Sequence, residues 1–152
     1  MRIGTRLAIV AIVGVVCALA LAQSQEPRAE RDLFSAVNQA RRNQGLAPLR
    51  WDESLAAAAR RHAVIMAQHR TAEHAFEGEP GLSARVKEVG FHFSWLSENV
   101  TQGPTPEFIH TQFMKSPNHR ANILDRDMNS IGVGVVERGG QLFAVEDFAQ
   151  GR

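Results

Sequence analysis

Apolar residues recur every three or four positions along several stretches of the chain, and this spacing predicts helices. One helix is predicted from Asp32 until Gly45, which is placed to cap its end. A second is predicted over about Glu53 to His69, with Asp52 as its N-terminal cap. The apolar face of this second helix would consist of Leu55, Ala58, Ala59, His62, Ile65, Met66 and His69.

Two shorter helices follow in the second half of the chain. The pattern predicts one over about Leu82 to Val89, stopped by Gly90. Thr105 and Pro106 predict the start of the other, because proline is favoured at the first helical position. The Ser116-Pro117 pair should end that helix, since the residue before a proline is disfavoured in helical conformation.

The last part of the chain alternates in the manner of strands. Ile131, Val133 and Val135 are separated by glycines, Gly139-Gly140 is suited to a tight turn, and an apolar run returns from Leu142 to Phe148. This pattern predicts a β-hairpin. Helices first and strands last indicate an α+β fold, with the helices packed on a small antiparallel sheet.

The first 22 residues have the pattern of a signal peptide. Arg2 and Arg6 precede an uncharged run of 16 residues, Leu7 to Ala22, whereas a membrane span needs roughly 20. The small residues before Gln23 favour cleavage near Ala22, and an uncleaved N-terminal anchor is the alternative. We therefore predict a signal peptide over 1–22, a polar leader over 23–31, a domain over 32–150, and a secreted or periplasmic protein.

Charge and cysteine content limit the possible partners. Cys17 is the only cysteine and lies in the predicted signal, so the mature chain would hold neither a disulfide nor a thiol nucleophile. Loss of the signal would leave 15 basic against 16 acidic residues. This balance argues against a nucleic-acid partner and against strong attraction to an anionic membrane surface. After cleavage of the signal we expect a monomer with no stable membrane span.

Three separated polar residues are the candidates for chemistry. His74 follows the long helix in a break, Glu98 lies in "SENV", and His119 lies in "SPNHRANIL". The chain contains none of the sequences HExxH, GxSxG, GxGxxG or a P-loop, so the common single-motif enzymes are not indicated. Two histidines and a glutamate would suit a divalent metal such as zinc with one open position. Alternatively, Glu98 is a structural acceptor for backbone groups.

Other polar and aromatic residues have plainer interpretations. His62, on the apolar face of its helix, is expected to be a hydrogen-bonded core residue. Trp51 and Trp95 are expected to anchor the core. Glu146 and Asp147 must point to opposite faces of the last strand, so at most one of them can face a given site.

Six phrases in order resemble the CAP superfamily, in particular its secreted bacterial SCP-like members. They are "VNQARRNQGLAPLRWDESLAAAARRHAVIMA", "EH", "SENV", "FMKSPNHRANIL", "IGVGVV" and "FAVEDFA". The resemblance implies an α-β-α sandwich with strands near Phe91 and Glu98, and a cleft lined by His74, Glu98 and His119. It places a second acidic position near "FMKSP", where this chain has Lys115 and Ser116.

Two functions are compatible with these residues. The first is a non-catalytic module that binds a lipid, a cell-envelope component or a protein. The second is a metal-assisted or acid/base hydrolase in which His74, Glu98 and His119 form the active site.

Overall fold

The computed structural model describes residues 27–152, so the predicted signal peptide and its cleavage near Ala22 lie outside the described residues. Helices in this part of the chain are α1 (27–43), α2 (Glu53–His69), α3 (Leu82–Glu88), α4 (Pro106–Lys115) and α5 (Pro117–Ile123). Strands are β1 (Arg50–Trp51), β2 (Phe93–Gly103), β3 (Ser130–Arg138) and β4 (Gln141–Gly151).

The strands form one sheet in the order β1-β3-β4-β2. β3 and β4 are the predicted hairpin, and Gly139 and Gly140 in its turn have φ values of 64° and 78°, a conformation that favours glycine. β2 pairs with β4 in antiparallel fashion. The sheet is mixed and not purely antiparallel, because the short link after α1 runs parallel to β3, where Arg50 pairs with Ser130.

Helices cover both faces of this sheet, which confirms the α-β-α sandwich. On β4, alternate side chains enter two different cores. Phe143 and Val145 pack under α2, together with Ala59, Ala63 and Met66. On the other face, the core beneath α1, α4 and α5 contains Leu33, Val37, Ile109, Phe113, Ile123, Leu142, Ala144 and Phe148. The face of the sheet under α2 and α3 is called the α2 face below, and the other is called the α5 face.

Several helix boundaries agree with the sequence. Asp52 accepts a hydrogen bond from the Leu55 amide at 3.0 Å, and Thr105 accepts one from Phe108 at 3.2 Å. Helix α1, by contrast, includes residues 27–31, which the sequence assigned to a polar leader. Ala29 and Glu30 are buried there because the helix continues across the sheet.

Two other expectations about burial were wrong. Ile65 is only half-buried and His69 is exposed, because the buried face of α2 is rotated from the predicted one and includes Ala56, Ala63 and Ala67. Trp95 is 62% exposed and does not anchor the core. It lies on β2, an outer strand, where alternation directs Leu96 inward and Trp95 to the opposite face.

The sequence also missed a helix. Ser116 ends α4 as expected, but Pro117 then occupies the first position of α5, where its missing N–H has no cost. His119 consequently lies in the first half of a short helix and not in a turn. Ile123 then enters the core, and Arg120 is exposed.

Candidate functional site

Consecutive residues of β2 place two polar side chains on opposite faces of the sheet. Glu98 stands opposite Asp147, and Asn99 stands opposite Glu146. Glu98 meets residues from α3 and from the segment before it, whereas Asn99 donates a hydrogen bond to Glu146 at 3.1 Å and contacts α5. The candidate site therefore lies at β2, the edge strand, and draws residues from both faces of the sheet.

On the α2 face, the Glu98 carboxylate holds His74. Oε1 of Glu98 lies 2.9 Å from Nδ1 of His74, and Oε2 accepts a hydrogen bond from Arg85. The Glu98 side chain is buried, whereas the His74 side chain is 59% exposed. Because Nδ1 is bound to the carboxylate, Nε2 is the ring nitrogen that remains available to a ligand.

On the α5 face, Asn99 holds the helix that carries His119. Its Nδ2 donates to the His119 carbonyl at 3.2 Å. Asn122 donates to the Asn99 side-chain oxygen at 2.9 Å and to the Glu98 carbonyl at 3.3 Å. The ring of His119 is half-buried, and Phe113 meets it at a centroid distance of 5.2 Å and an angle of 75°. Thus the ring of His74 is bound to Glu98, and the backbone carbonyl of His119 is bound to Asn99, the next residue of β2.

The two imidazoles have different electrostatic environments. The hydrogen bond to Glu98 raises the pKa of His74 above its ordinary value, because the carboxylate stabilises the charged ring. Burial lowers the pKa of His119, and the nearby His74 charge lowers it further. This difference favours a charged His74 beside a neutral His119.

Sequence analysis missed two charged residues of the site. Glu79 and Arg85 are both nearly buried and lie 3.6 Å apart, and Arg85 links Glu79 to Glu98. Arg85 had a sequence signal, because it lies three residues after Leu82 on the apolar face of α3. Glu79 follows a turn and had no comparable signal. Glu79 thus joins the buried network of Arg85 and Glu98 from the segment before α3.

Two further acids are completely buried in the sheet. Burial raises the pKa of Asp147, and the neighbouring Glu98 charge raises it further. Burial also raises the pKa of Glu146 to about 8, although the hydrogen bond from Asn99 acts in the opposite direction. As expected, they point to opposite faces, and Asp147 is the one that shares the face of Glu98.

Glu98, one of the three residues predicted to bind a metal ion, is already held by protein groups. Both Glu98 oxygens already bind protein groups, and the Arg85 guanidinium beside them would repel a cation. Among residues 27–152, no group of three or more histidine, cysteine, aspartate or glutamate side chains could hold a metal ion. Zinc binding stays an untested prediction.

The α-β-α sandwich around a mixed four-stranded sheet places the chain in the α+β class. The sequence model of the cysteine-rich secretory protein family, CAP, matches residues 34–148, and the chain belongs to this family. It is 33% identical to the uncharacterized protein YkwD of Bacillus subtilis over 72% of this chain and 43% of that protein. It is 28% identical to the membrane protein YlbC of the same organism, over 70% and 31%. The chain therefore spans less than half the length of either relative.

Solved structures share the fold. An extracellular SCP-domain protein of Bacillus anthracis superposes with a TM-score of 0.79 at 22% identity, covering 85% of this chain and 42% of that chain. An outer surface protein of Borrelia burgdorferi superposes with a TM-score of 0.76 at 20% identity, covering 82% and 94%. In the described residues, no helix has both the length and the apolar character required to cross a membrane.

Proposed function

We propose that this protein is a secreted binding module whose cleft captures a cell-envelope component through an anionic group. Secretion is supported by the signal pattern and by two structural relatives described as extracellular and as an outer surface protein. The family match supports a ligand-binding domain.

The observation that carries this proposal is the pair of unequal imidazoles. His74 is exposed, oriented by Glu98 and favoured in its charged form, so its Nε2–H can donate to an anionic oxygen. His119, with its lowered pKa, adds a neutral ring that can donate from one nitrogen. A phosphate or carboxylate group on the ligand satisfies both donors.

The helix that precedes the cleft gives no comparable support for a purely apolar ligand. The large side chains Phe108, Phe113 and Met114 of α4 are the candidates for lining an apolar groove. Phe113 is fully buried in the core, whereas Phe108 is exposed and Met114 is half-buried. These three side chains therefore differ too much in exposure to line one groove.

An acid/base hydrolase is the second candidate, favoured by the contact between His74 and Glu98. A histidine oriented by a buried carboxylate is an arrangement that enzymes use for general base catalysis. In such a reaction His74, in its neutral form above its pKa, would accept a proton from water and His119 would stabilise the developing charge. The same geometry serves binding without turnover, so an experiment must separate the two functions.

Native mass spectrometry of the protein purified from the exported fraction of its own producer tests the binding proposal. We expect a bound ligand mass in the wild type that is lost in His74→Ala and retained in His92→Ala, a matched control at an exposed histidine. A ligand mass that survives in His74→Ala would contradict the proposed site. A ligand recovered only as two hydrolysed fragments would favour the hydrolase.

The pH dependence provides a second test, with sulfate as the probe because its charge does not change over the range in which imidazoles titrate. Since the pKa of His74 is raised, its positive charge is present below that pKa and is lost as the pH rises through it. Sulfate affinity, followed by the imidazole NMR resonances, should fall over the same interval. Affinity that is independent of pH would contradict the role of a charged His74.

A further inference from the structure

His62 is a completely buried histidine that lies beneath the segment carrying His74. It lies on α2, and its ring contacts the segment 70–81 at two points. Nδ1 lies 2.6 Å from Oε1 of Glu79, and Nε2 lies 2.9 Å from the Glu73 carbonyl oxygen. Glu73 immediately precedes His74, so one contact of His62 fixes the backbone next to the cleft residue.

Hydrogen-bond chemistry fixes the role of one nitrogen of this ring. A carbonyl oxygen accepts and cannot donate, so Nε2 of His62 carries a proton and donates it to the Glu73 carbonyl. Nδ1 forms the second hydrogen bond, with Glu79, which Arg85 also approaches at 3.6 Å. Such a buried polar network is stable only while the segment supplies all of its partners.

Other contacts hold the same segment from inside. The second oxygen of Glu79 accepts from the Phe76 amide at 3.3 Å, and the Phe76 ring stacks on His69 at 4.4 Å. Arg85 donates to the Pro80 carbonyl at 3.1 Å and binds Glu98. The segment is thus attached to buried groups on both sides of His74.

We propose that His62 is a positioning residue that holds His74 against Glu98 by clamping the segment 70–81. The His62 side chain is fully buried, and its Nε2 lies 4.0 Å from Oε2 of Glu98 without forming a hydrogen bond to it. Its effect passes through the Glu73 carbonyl and through Glu79. This inference rests on the proposed function of His74 as a ligand-binding residue.

Removal of the clamp has two consequences that a general loss of stability would not produce together. Without His62, the Glu73 carbonyl loses its buried donor and Glu79 keeps only the Phe76 amide and Arg85, so the segment must open to hydrate the carbonyl. Opening moves His74 away from Glu98, so His74 loses the contact that raises its pKa.

The substitution His62→Gln tests the proposal, because one glutamine amide cannot span both acceptors. In the folded variant we expect the Phe76 amide to exchange about tenfold faster or more with solvent. We also expect the NMR titration midpoint of His74 to return to about 6.5, the ordinary value for histidine. His92→Gln is the matched control and should change neither. A folded His62→Gln protein with both readouts unchanged would show that His62 only fills the core.

A measurement on the wild type keeps the proposal testable if the variant does not fold. The ¹⁵N spectrum of the ring at neutral pH should show a proton on Nε2 of His62, and an Nε2 without a proton would overturn the clamp. This result is independent of the ligand. The clamp can fail while sulfate still binds, and sulfate binding can fail while the His62 spectrum shows the Nε2 proton.

Discussion

At the scale of single residues, the outer strand separates two buried polar networks. Glu98 belongs to the network of His74 and Arg85, and its neighbour Asn99 belongs to the network of Glu146 and α5. Strand alternation produces this separation, because adjacent side chains point to opposite faces. The two networks lie next to each other at β2, which has no strand on its outer side within the described sheet.

Glu146 should make the fold less stable as the pH rises, whereas acidic residues with lowered pKa values make a fold more stable as the pH rises. Its pKa is about 8 in the fold against an ordinary 4.5. The folded state therefore binds more protons between these values, and Glu146 should contribute stability that is present below about pH 4.5 and lost as the pH rises through about 8. Glu146→Gln should flatten this part of the dependence, measured as urea midpoints at several pH values.

A control separates Glu146 from other acids. Glu88→Gln changes an exposed residue and should leave the slope unaltered. Asp147 acts in the same direction, because its pKa is also raised, so some slope should remain in Glu146→Gln. A slope that is identical in wild type and Glu146→Gln would show that Glu146 is ionised in the fold.

At the scale of elements, α2 and β3 approach each other at backbone distance. A Cβ atom at Gly132 would overlap the backbone of Leu55 and Ala56, and one at Gly134 would overlap the backbone of Ala59 and Arg60. The alternation of glycine with valine in β3 is thus a packing requirement. The alanine-rich face of α2 serves the same approach, because small side chains permit it.

Gly134→Ala should destabilise the fold because the overlap is with backbone and no flexible side chain can move away. Overpacking of this kind costs about 1–3 kcal/mol and occasionally more. Gly81→Ala is the matched control, since a Cβ there meets no atom within 4 Å. Denaturant midpoints compare the two, and an equal midpoint for both variants would mean that α2 lies farther from β3.

At the scale of the whole molecule, buried side chains tie distant segments to one another. Arg41 on α1 is buried and donates to the carbonyl oxygens of Ile123 and Asp125 at 2.9 and 2.7 Å. This connection fixes the end of α5, the helix that carries His119. The position of α5 therefore depends on α1 as well as on Asn99.

The prediction for the entire chain concerns export. Arg2, Arg6 and the uncharged run before Gln23 predict cleavage near Ala22, and an exported chain that begins close to Gln23. N-terminal sequencing of the protein from its producer's medium or periplasm measures this directly. Recovery of Met1 or Arg2 at the terminus would instead support a retained anchor.

Local patterns were sufficient for much of the fold and for the choice of site residues. The limits of α2, its Asp52 cap and the hairpin at Gly139-Gly140 depend on neighbours within a few residues, and the structure confirms them. His74, Glu98 and His119 could be selected because they stand at breaks in apolar sequence and match a family pattern. That selection did not provide their partners or their charges.

Tertiary structure decided the features that arise from residues far apart in the chain. The clamp of His62 on Glu73 and Glu79, the link from Arg85 to Glu98, and the opposite pKa shifts of the two histidines all depend on which elements pack together. The exposure of Trp95 likewise follows from the position of β2 in the sheet. Periodicity shows which side of an element is apolar, but burial, desolvation and ion pairing depend on what covers that side.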